Sequence, residues 1–279
     1  PGAFYQRINT VMIKNPLELY KHLDQSNCRR CLLPSCIAFS VAVIQGQKKL
    51  SDCPLLSAEK INELTGGIVR KKSMSEEQDA YLALLQEEIA QQDLKDIASR
   101  LGLPLKEETV GVKCLGKYFW INAQGGMASE CHCNNWVHIP ILHYLLQSKG
   151  LQPAGEWIDF PAIQDAGGKE RFFAHRCEES MQQLVDEHTE LFFEILDLFE
   201  AEEVRETEAD KARILYPLPK VPFLINYWES EESFPSKLNI LFDSKVSENT
   251  NVESVYMIGR GMVEMFHQLI IRHSSGELF

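Results

Sequence analysis

The chain has 279 residues, 44% hydrophobic and 24% charged, with a net charge of −12 and a pI near 5.2. That composition supplies a full core for one or two domains, and the acidic balance excludes a general nucleic-acid binder, whose phosphate-facing surface must be basic. No apolar run approaches the roughly 18 residues of a membrane span, and eight unevenly clustered cysteines point to a reducing cytoplasm with metal-binding thiolates, not to a secreted disulfide framework.

The opening P-G-A-F-Y-Q-R has no signal-peptide layout. Asn15 and Pro16 form a helix-entry pair, and Leu17, Tyr20 and Leu23 share one face. A short helix over 15–25 would deliver the chain to N-C-R-R-C-L-L-P-S-C. Cys28, Cys31, Cys36 and Cys53 follow the spacing C-x2-C-x4-C-x16-C. Three thiols within nine residues beside Pro34 and Ser35 are loop chemistry, and a loop can wrap sulfurs around a compact centre. From Cys36 an apolar run reads as a buried helix ending near Gly46. A helix of about 11 residues rises about 16 Å, and the six residues Gln47–Asp52 can extend about 20 Å. The return path is therefore long enough to bring Cys53 back. The helix N-terminus would favour an anionic centre. Spacing alone leaves three readings open: an iron–sulfur cluster, a structural zinc, and unligated buried cysteines. Zinc sites usually show two close Cys/His pairs, and the common ferredoxin runs are spaced differently.

N-C-x-x-C-x-x-P-S-C-x-A-F, an apolar helix, a short basic stretch and D-C-P together resemble the small 4Fe–4S domain at the start of the large subunit of the corrinoid iron–sulfur protein. That domain occurs in other anaerobic redox proteins as well. The resemblance covers about residues 22–57 and implies a 4Fe–4S cluster ligated by Cys28, Cys31, Cys36 and Cys53. Asn27, Pro34, Ala38, Phe39 and Pro54 also fit. Arg29 and Leu32 stand where the family usually carries glycine, the residue that takes positive φ at low cost.

Ser57 caps a further short helix that Thr65-Gly66-Gly67 ends. Residues 66–76 read as a linker, which divides the chain into a cluster-binding domain, 1–66, and a larger domain, 77–279. A helix over 76–91 buries Leu82, Leu85 and Ile89. Asp93 caps a second, Leu94–Leu101, stopped by Gly102. Two strand-like runs flank Gly116 and read as a hairpin. Next come Cys131, His132 and Cys133, with Cys114 and His138 as candidate neighbours. As a strand edge with small buried thiols, this stretch puts Cys131 and Cys133 on one face and His132 on the other, so the three do not easily share one metal. A second metal site, a cofactor contact or a reactive thiol are the functional alternatives.

Ile139–Leu146 reads as a helix with Pro140 near its first turn and His143 as a structural histidine. A long helix over about 177–202 buries Leu184, Leu191, Ile195, Leu198 and Phe199, with His175 and Cys177 as packing residues. The acidic run 200–210 reads as its solvated end. The three prolines of 213–222 suit an edge or bend. Phe223–Trp228 and Lys237–Asp243 flank an acidic turn as a hairpin, and Asn249 or Asn251 opens a last helix to about Arg272. The expected fold class is α+β: a small loop-and-helix iron–sulfur domain followed by mostly antiparallel strands packed with helices.

Residues 77–273 resemble a domain family that often follows the cluster domain in anaerobic bacteria and archaea, on P-L-P-K-V-P-F-L-I, L-N-I-L-F-D and I-L-H-Y-L. That family brings no catalytic residues, and the chain has no G-x-S-x-G, P-loop, G-x-G-x-x-G or H-E-x-x-H. The resemblances imply single-electron transfer to a partner protein, or to a second cofactor of unknown kind in the larger domain, with a corrinoid methyl-transfer system as candidate partner. Two alternatives stand beside this: a redox enzyme binding a substrate or second cofactor with the Cys131–Cys133 stretch or the nearby Trp136 and His138, and a binding module with a purely structural cluster.

Overall fold

The computed structural model describes residues 12–68 and 74–274. The reading of 66–76 as a linker falls partly on 69–73, outside the described residues. The chain forms two compact units, 1–80 and 81–279. Among the described residues, no helix is long and apolar enough to cross a membrane.

The first unit is short helices around a small core. Helix α1 (Pro16–Tyr20) starts where Asn15 Oδ1 accepts the Glu18 N–H at 3.0 Å. Helix α2 (Cys36–Ile44) starts where Ser35 Oγ accepts the Ala38 N–H. A 3-10 turn over Leu50–Asp52 precedes α3 (Ala58–Thr65), capped by Ser57. Hydroxyl and amide oxygens at these positions satisfy N–H groups that a helix leaves without partners. Leu19, Leu23, Phe39, Val43, Ile44, Leu50 and Leu64 form the core, and Cys31, Cys36 and Cys53 pack against it.

The second unit carries the last turns of α4 (Met74–Ile89), α5 (Leu94–Leu101) and two antiparallel sheets. The smaller runs in chain order: β1 (Leu105–Lys106), β2 (Thr109–Cys114), β3 (Lys117–Ile121) and β4 (Met127–Ala128). The larger joins β5 (Trp157–Ile158), β6 (Glu202–Glu203), β7 (Lys211–Leu218), β8 (Val221–Trp228) and β9 (Lys237–Asp243) in the order β5-β9-β8-β7-β6. Helices α6 (Asn135–Gln147), α7 (Glu170–Phe173), α8 (Glu179–Leu198), α9 (Val246–Asn249) and α10 (Val252–Ser274) complete it, with α6 and α8 both packed on α10. Phe160, Phe173, Phe223 and Phe242 stack and edge against one another at centroid distances of 4.1 to 6.1 Å. A buried side chain of this size contributes about 1.5–3 kcal/mol.

The α+β class is the one expected, and five local expectations are corrected. The prolines of 213–222 do not mark an edge: β7 and β8 lie inside the sheet. Pro219 lies in the β7–β8 turn, and Pro217 and Pro222 sit at a bend, where the register shifts between Leu215↔Phe223 and Leu218↔Val221 so that Tyr216 and Pro217 oppose Pro222 alone. A bulge of this kind breaks the ladder where proline has no N–H to give. The acidic run is solvated but is not a helix end. α8 stops at Leu198, and Glu202–Glu203 return as β6 beside β7, where Glu203 sits 3.9 Å from Arg213. The long helix begins earlier than expected, at Glu170, and continues through a π-helical turn over Ala174–Glu178. Within its assigned stripe Leu198 is 66% exposed, and His175 is also exposed, paired with Glu179 at 2.9 Å. The Pro140 helix starts at Asn135, which leaves Pro140 in its interior.

Candidate metal centre

The loop between α1 and α2 is built from unusual backbone. Gln25, Asn27, Arg29 and Leu32 all have φ between 50° and 64°. This is the left-handed region that costs an ordinary L-residue about 1–2 kcal/mol. Arg29 and Leu32 therefore adopt the conformation that glycine takes easily, and the loop keeps its path without glycine. The Leu32 N–H closes a tight turn on the Arg29 carbonyl at 3.0 Å. Asn27 Oδ1 accepts the Cys36 N–H at 2.8 Å, tying the residue before the first cysteine to the start of α2.

The return path is equally defined. After α2, Gln47 and Lys48 both donate to the Ala42 carbonyl, which turns the chain back. Asp52 Oδ2 accepts the Lys49 N–H at 3.0 Å, and the Cys53 N–H donates to the Leu50 carbonyl. The result is one hollow lined by all four sulfur-bearing residues, Cys28, Cys31, Cys36 and Cys53, and walled by Leu23, Phe39, Pro54 and Leu55. All four thiols are free; Cys28 is exposed, and the other three are half-buried. Asp24 and Arg29 stand at the rim. The N-terminus of α2 begins at Cys36 itself, so its partial positive charge faces whatever anionic centre the thiolates hold. Soft thiolate donors of this number suit iron–sulfur clusters and zinc. Among the described residues no three His, Cys, Asp or Glu side chains converge as ligands of a single ion. The four thiols surround a common space instead.

The second cysteine stretch is arranged differently. β4 ends at Ala128, so Cys131, His132 and Cys133 lie in an irregular loop, not a strand, and both thiols are exposed, not buried. The loop is turned by Ser129 Oγ, which accepts the Cys131 N–H and donates to the Tyr118 carbonyl. Cys131 and His132 line a hollow with Cys114; Cys133 is not part of it. Burial pushes the Cys114 thiol up to about 12, and Cys177 likewise, so neither is a ready thiolate. His138 Nε2 lies 2.8 Å from the Gly125 carbonyl, away from this hollow. His143 is held on both ring nitrogens, by Ser254 Oγ and the Tyr81 hydroxyl at 2.7 Å each. Trp136, a candidate in the sequence, does line the Cys131 hollow, whereas sequence reasoning did not find Lys117 and Arg272, which share it. They are far apart in the chain and carry no motif.

Residues 23–55 match the family described as "Putative Fe-S cluster", and residues 93–265 match the family described as "Domain of unknown function (DUF3786)". Gamma subunit 1 of the acetyl-CoA decarbonylase/synthase complex of Methanosarcina thermophila is 50% identical over 50 residues, 18% of this chain and 11% of that protein. The gamma subunit of Methanocaldococcus jannaschii is 32% identical over 47 residues, 17% and 10% of the two chains. The corrinoid/iron-sulfur protein large subunit of Moorella thermoacetica is 42% identical over 41 residues, 15% and 9%. The chain thus spans about a tenth of the length of these curated relatives. No solved structure matches. An iron–sulfur segment preceding a matched region that takes in more than half of the sequence makes the chain a member of the DUF3786 family.

Proposed function

We propose that the protein is a one-electron carrier whose 4Fe–4S cluster is held by Cys28, Cys31, Cys36 and Cys53 in a functional domain of residues 1–66, ahead of an α+β domain of 77–279. The observation that carries this is the single hollow lined by four free thiols, closed by the Asn27–Cys36 hydrogen bond and the turn that returns Cys53. When bound, such a cluster supplies reversible one-electron chemistry. The protein's own residues do the rest. Phe39 and Leu23, both buried, exclude water from the inner side, and Asn27 fixes the loop to α2. Cys28 remains exposed and offers the edge that a partner would approach. The spacing C-x2-C-x4-C-x16-C, without two close Cys/His pairs, favours a cluster over zinc.

The named relatives are a subunit of the acetyl-CoA decarbonylase/synthase complex and a corrinoid/iron-sulfur protein. On that likeness the partner is a protein of corrinoid-linked methyl-group metabolism, in the reducing cytoplasm of an anaerobe. The test is metal and sulfide analysis of protein purified without oxygen, with a paramagnetic spectrum after reduction. The expected result is about four irons and four sulfides per chain, a signal that appears on reduction and disappears on reoxidation, and loss of iron and visible absorbance in Cys31→Ala. Stoichiometric zinc, or undiminished iron in Cys31→Ala, would overturn the assignment. A cluster that cannot be cycled would leave it structural and end the carrier reading.

A further inference from the structure

The second unit carries two exposed thiols two positions apart, Cys131 and Cys133. The first of them opens into a hollow of about 560 Å³ between the β2–β3 hairpin, the loop at Cys131 with the start of α6, and the C-terminal half of α10. We infer that Cys131 and Cys133 form a dithiol–disulfide couple that reduces small disulfides with an apolar body, Cys131 attacking from the hollow and Cys133 resolving the mixed disulfide.

The cysteines of this unit divide by access. Cys114 and Cys177 are buried, and burial pushes each thiol up to about 12. Exchange needs a thiolate that a disulfide can reach, so these two stay out of it. Cys131 and Cys133 meet the second condition together. Cα atoms two positions apart are at most about 7 Å from one another, and a disulfide spans about 4.4–6.8 Å. A small departure from full extension therefore brings the pair into range, with no movement of a distant element. The chain bends at Cys131. The Cys133 thiol donates to the Cys131 carbonyl at 3.7 Å, so the second sulfur is folded back toward the first.

The hollow separates the two roles. Cys131 lines it with Phe119, Trp136 and Leu269, and Cys133 does not. Its volume lies within the roughly 300–1,000 Å³ of small-molecule sites, and most of its exposed lining is apolar. A Cβ placed on Gly261 would overlap the Trp136 indole, so that wall rests directly on the backbone of α10 and needs no rearrangement to receive a ligand. A disulfide seated there meets Cys131 first. The Cys131 thiol gives its proton to water, and its sulfur attacks one sulfur of R–S–S–R. The Cys131–S–S–R bond forms, the R–S–S–R bond breaks, and RS⁻ leaves to take up a proton. Cys133, deprotonated in its turn, attacks the Cys131 sulfur; the Cys131–Cys133 disulfide forms and a second RS⁻ leaves. The two protein thiols lose two electrons in all, and the substrate gains them as two RSH. The inference does not rest on the cluster reading: both thiols lie in the other unit, and no iron takes part.

The experiment mixes full-length, oxygen-free protein with 4,4′-dithiodipyridine, a neutral aromatic disulfide that releases an absorbing thiopyridone, and locates the products by alkylation and mass mapping. The expected product is a Cys131–Cys133 disulfide with no pyridyl group left on either residue, reversed by dithiothreitol. Cys133→Ser should keep a pyridyl group on Cys131. Cys131→Ser should react at Cys133 roughly fivefold or more slowly than Cys133→Ser reacts at Cys131, and that gap should narrow with the polar 2-hydroxyethyl disulfide, which gains little from the hollow. Both variants change exposed side chains, and an unchanged urea midpoint separates lost exchange from lost fold. A pyridyl group that stays on Cys131 of the parent, a Cys131–Cys114 disulfide, no reaction at either thiol, or equal rates at Cys131 and Cys133 would overturn the proposal.

Discussion

Replacing Leu32 with glycine should stabilise the first unit. Leu32 has a φ of 64° and is 87% exposed, so its side chain contributes little burial to weigh against the strain. An L-residue in the left-handed region costs about 1–2 kcal/mol. Glycine removes that cost but enlarges the unfolded ensemble, which returns about 0.5–1 kcal/mol. The net expectation is a gain of about 0.5–1 kcal/mol. Leu32→Ala is the control, since alanine removes the same side chain and keeps the strain; it should gain nothing. Hydrogen exchange of the α2 amides in the cluster-loaded, oxygen-free protein reads the stability of this unit directly, and the rate of iron release to a chelator gives a second measure. Slower exchange and slower release should appear in Leu32→Gly alone. If Leu32→Gly matches Leu32→Ala, or exchanges faster than the parent, the strain argument is wrong. Arg29, at φ 60°, shares the geometry, but its charge lies at the rim of the hollow, so its replacement would mix two effects.

Other outcomes follow from the second unit. Asp243 is buried and accepts three backbone N–H bonds, from Ala154, Gly155 and Lys245 at 3.1, 2.7 and 2.9 Å. Asp243→Ala leaves these donors without partners and should cost about 2–4 kcal/mol in urea unfolding; a loss below the error of the measurement would contradict it. Gly261→Ala drives a methyl into the Trp136 ring and should cost about 1–3 kcal/mol, with a shift in tryptophan emission that Gly155→Ala, where nothing lies within 4 Å, does not share. Burial lowers the pKa of both His138 and His143 below 6.5. A base whose folded pKa is depressed contributes stability that is complete above the unfolded value and is lost as pH falls below it. Unfolding free energy should therefore drop between pH about 7.5 and pH about 5.5, and the drop should shrink in His143→Asn; a rise on acidification would refute the sign.

The sequence was most readable where one residue type serves one local purpose. Asn15, Ser35, Ser57 and Asp93 each cap the helix that their position suggests. The β2–β3 turn also lies where Gly116 places it. The helix from Cys36 is shorter than the run of apolar residues implied, because the Ala42 carbonyl captures the turn at Gln47 and Lys48. Readings failed where the outcome depends on distant partners. Pro217 and Pro222 look like edge markers until a bulge between two interior strands absorbs both. The acidic run is exposed, as expected, but looked like a helix end because Arg213, which stands across from β6 and pairs with Asp197, lies beyond it in the chain. Cys131 and Cys133 were misjudged because alternation assumes a strand, and Ser129 turns the chain before one can form. For the cluster segment, cysteine spacing constrained the donor set; the hollow's apolar wall at Leu55 had no comparable signature.

The Asn27–Cys36 hydrogen bond bears on how the metal site is assembled. It spans nine positions, and Cys28, Cys31 and Cys36 all fall within that span. Three sulfurs are thus placed by contacts of short sequence separation, which form quickly and at small entropic cost. Cys53 is placed only after α2 and the 3-10 turn have formed. The cradle is therefore kinetically uneven: a three-sulfur crescent that can persist or re-form by itself, and a fourth corner whose arrival reports that the surrounding unit has folded.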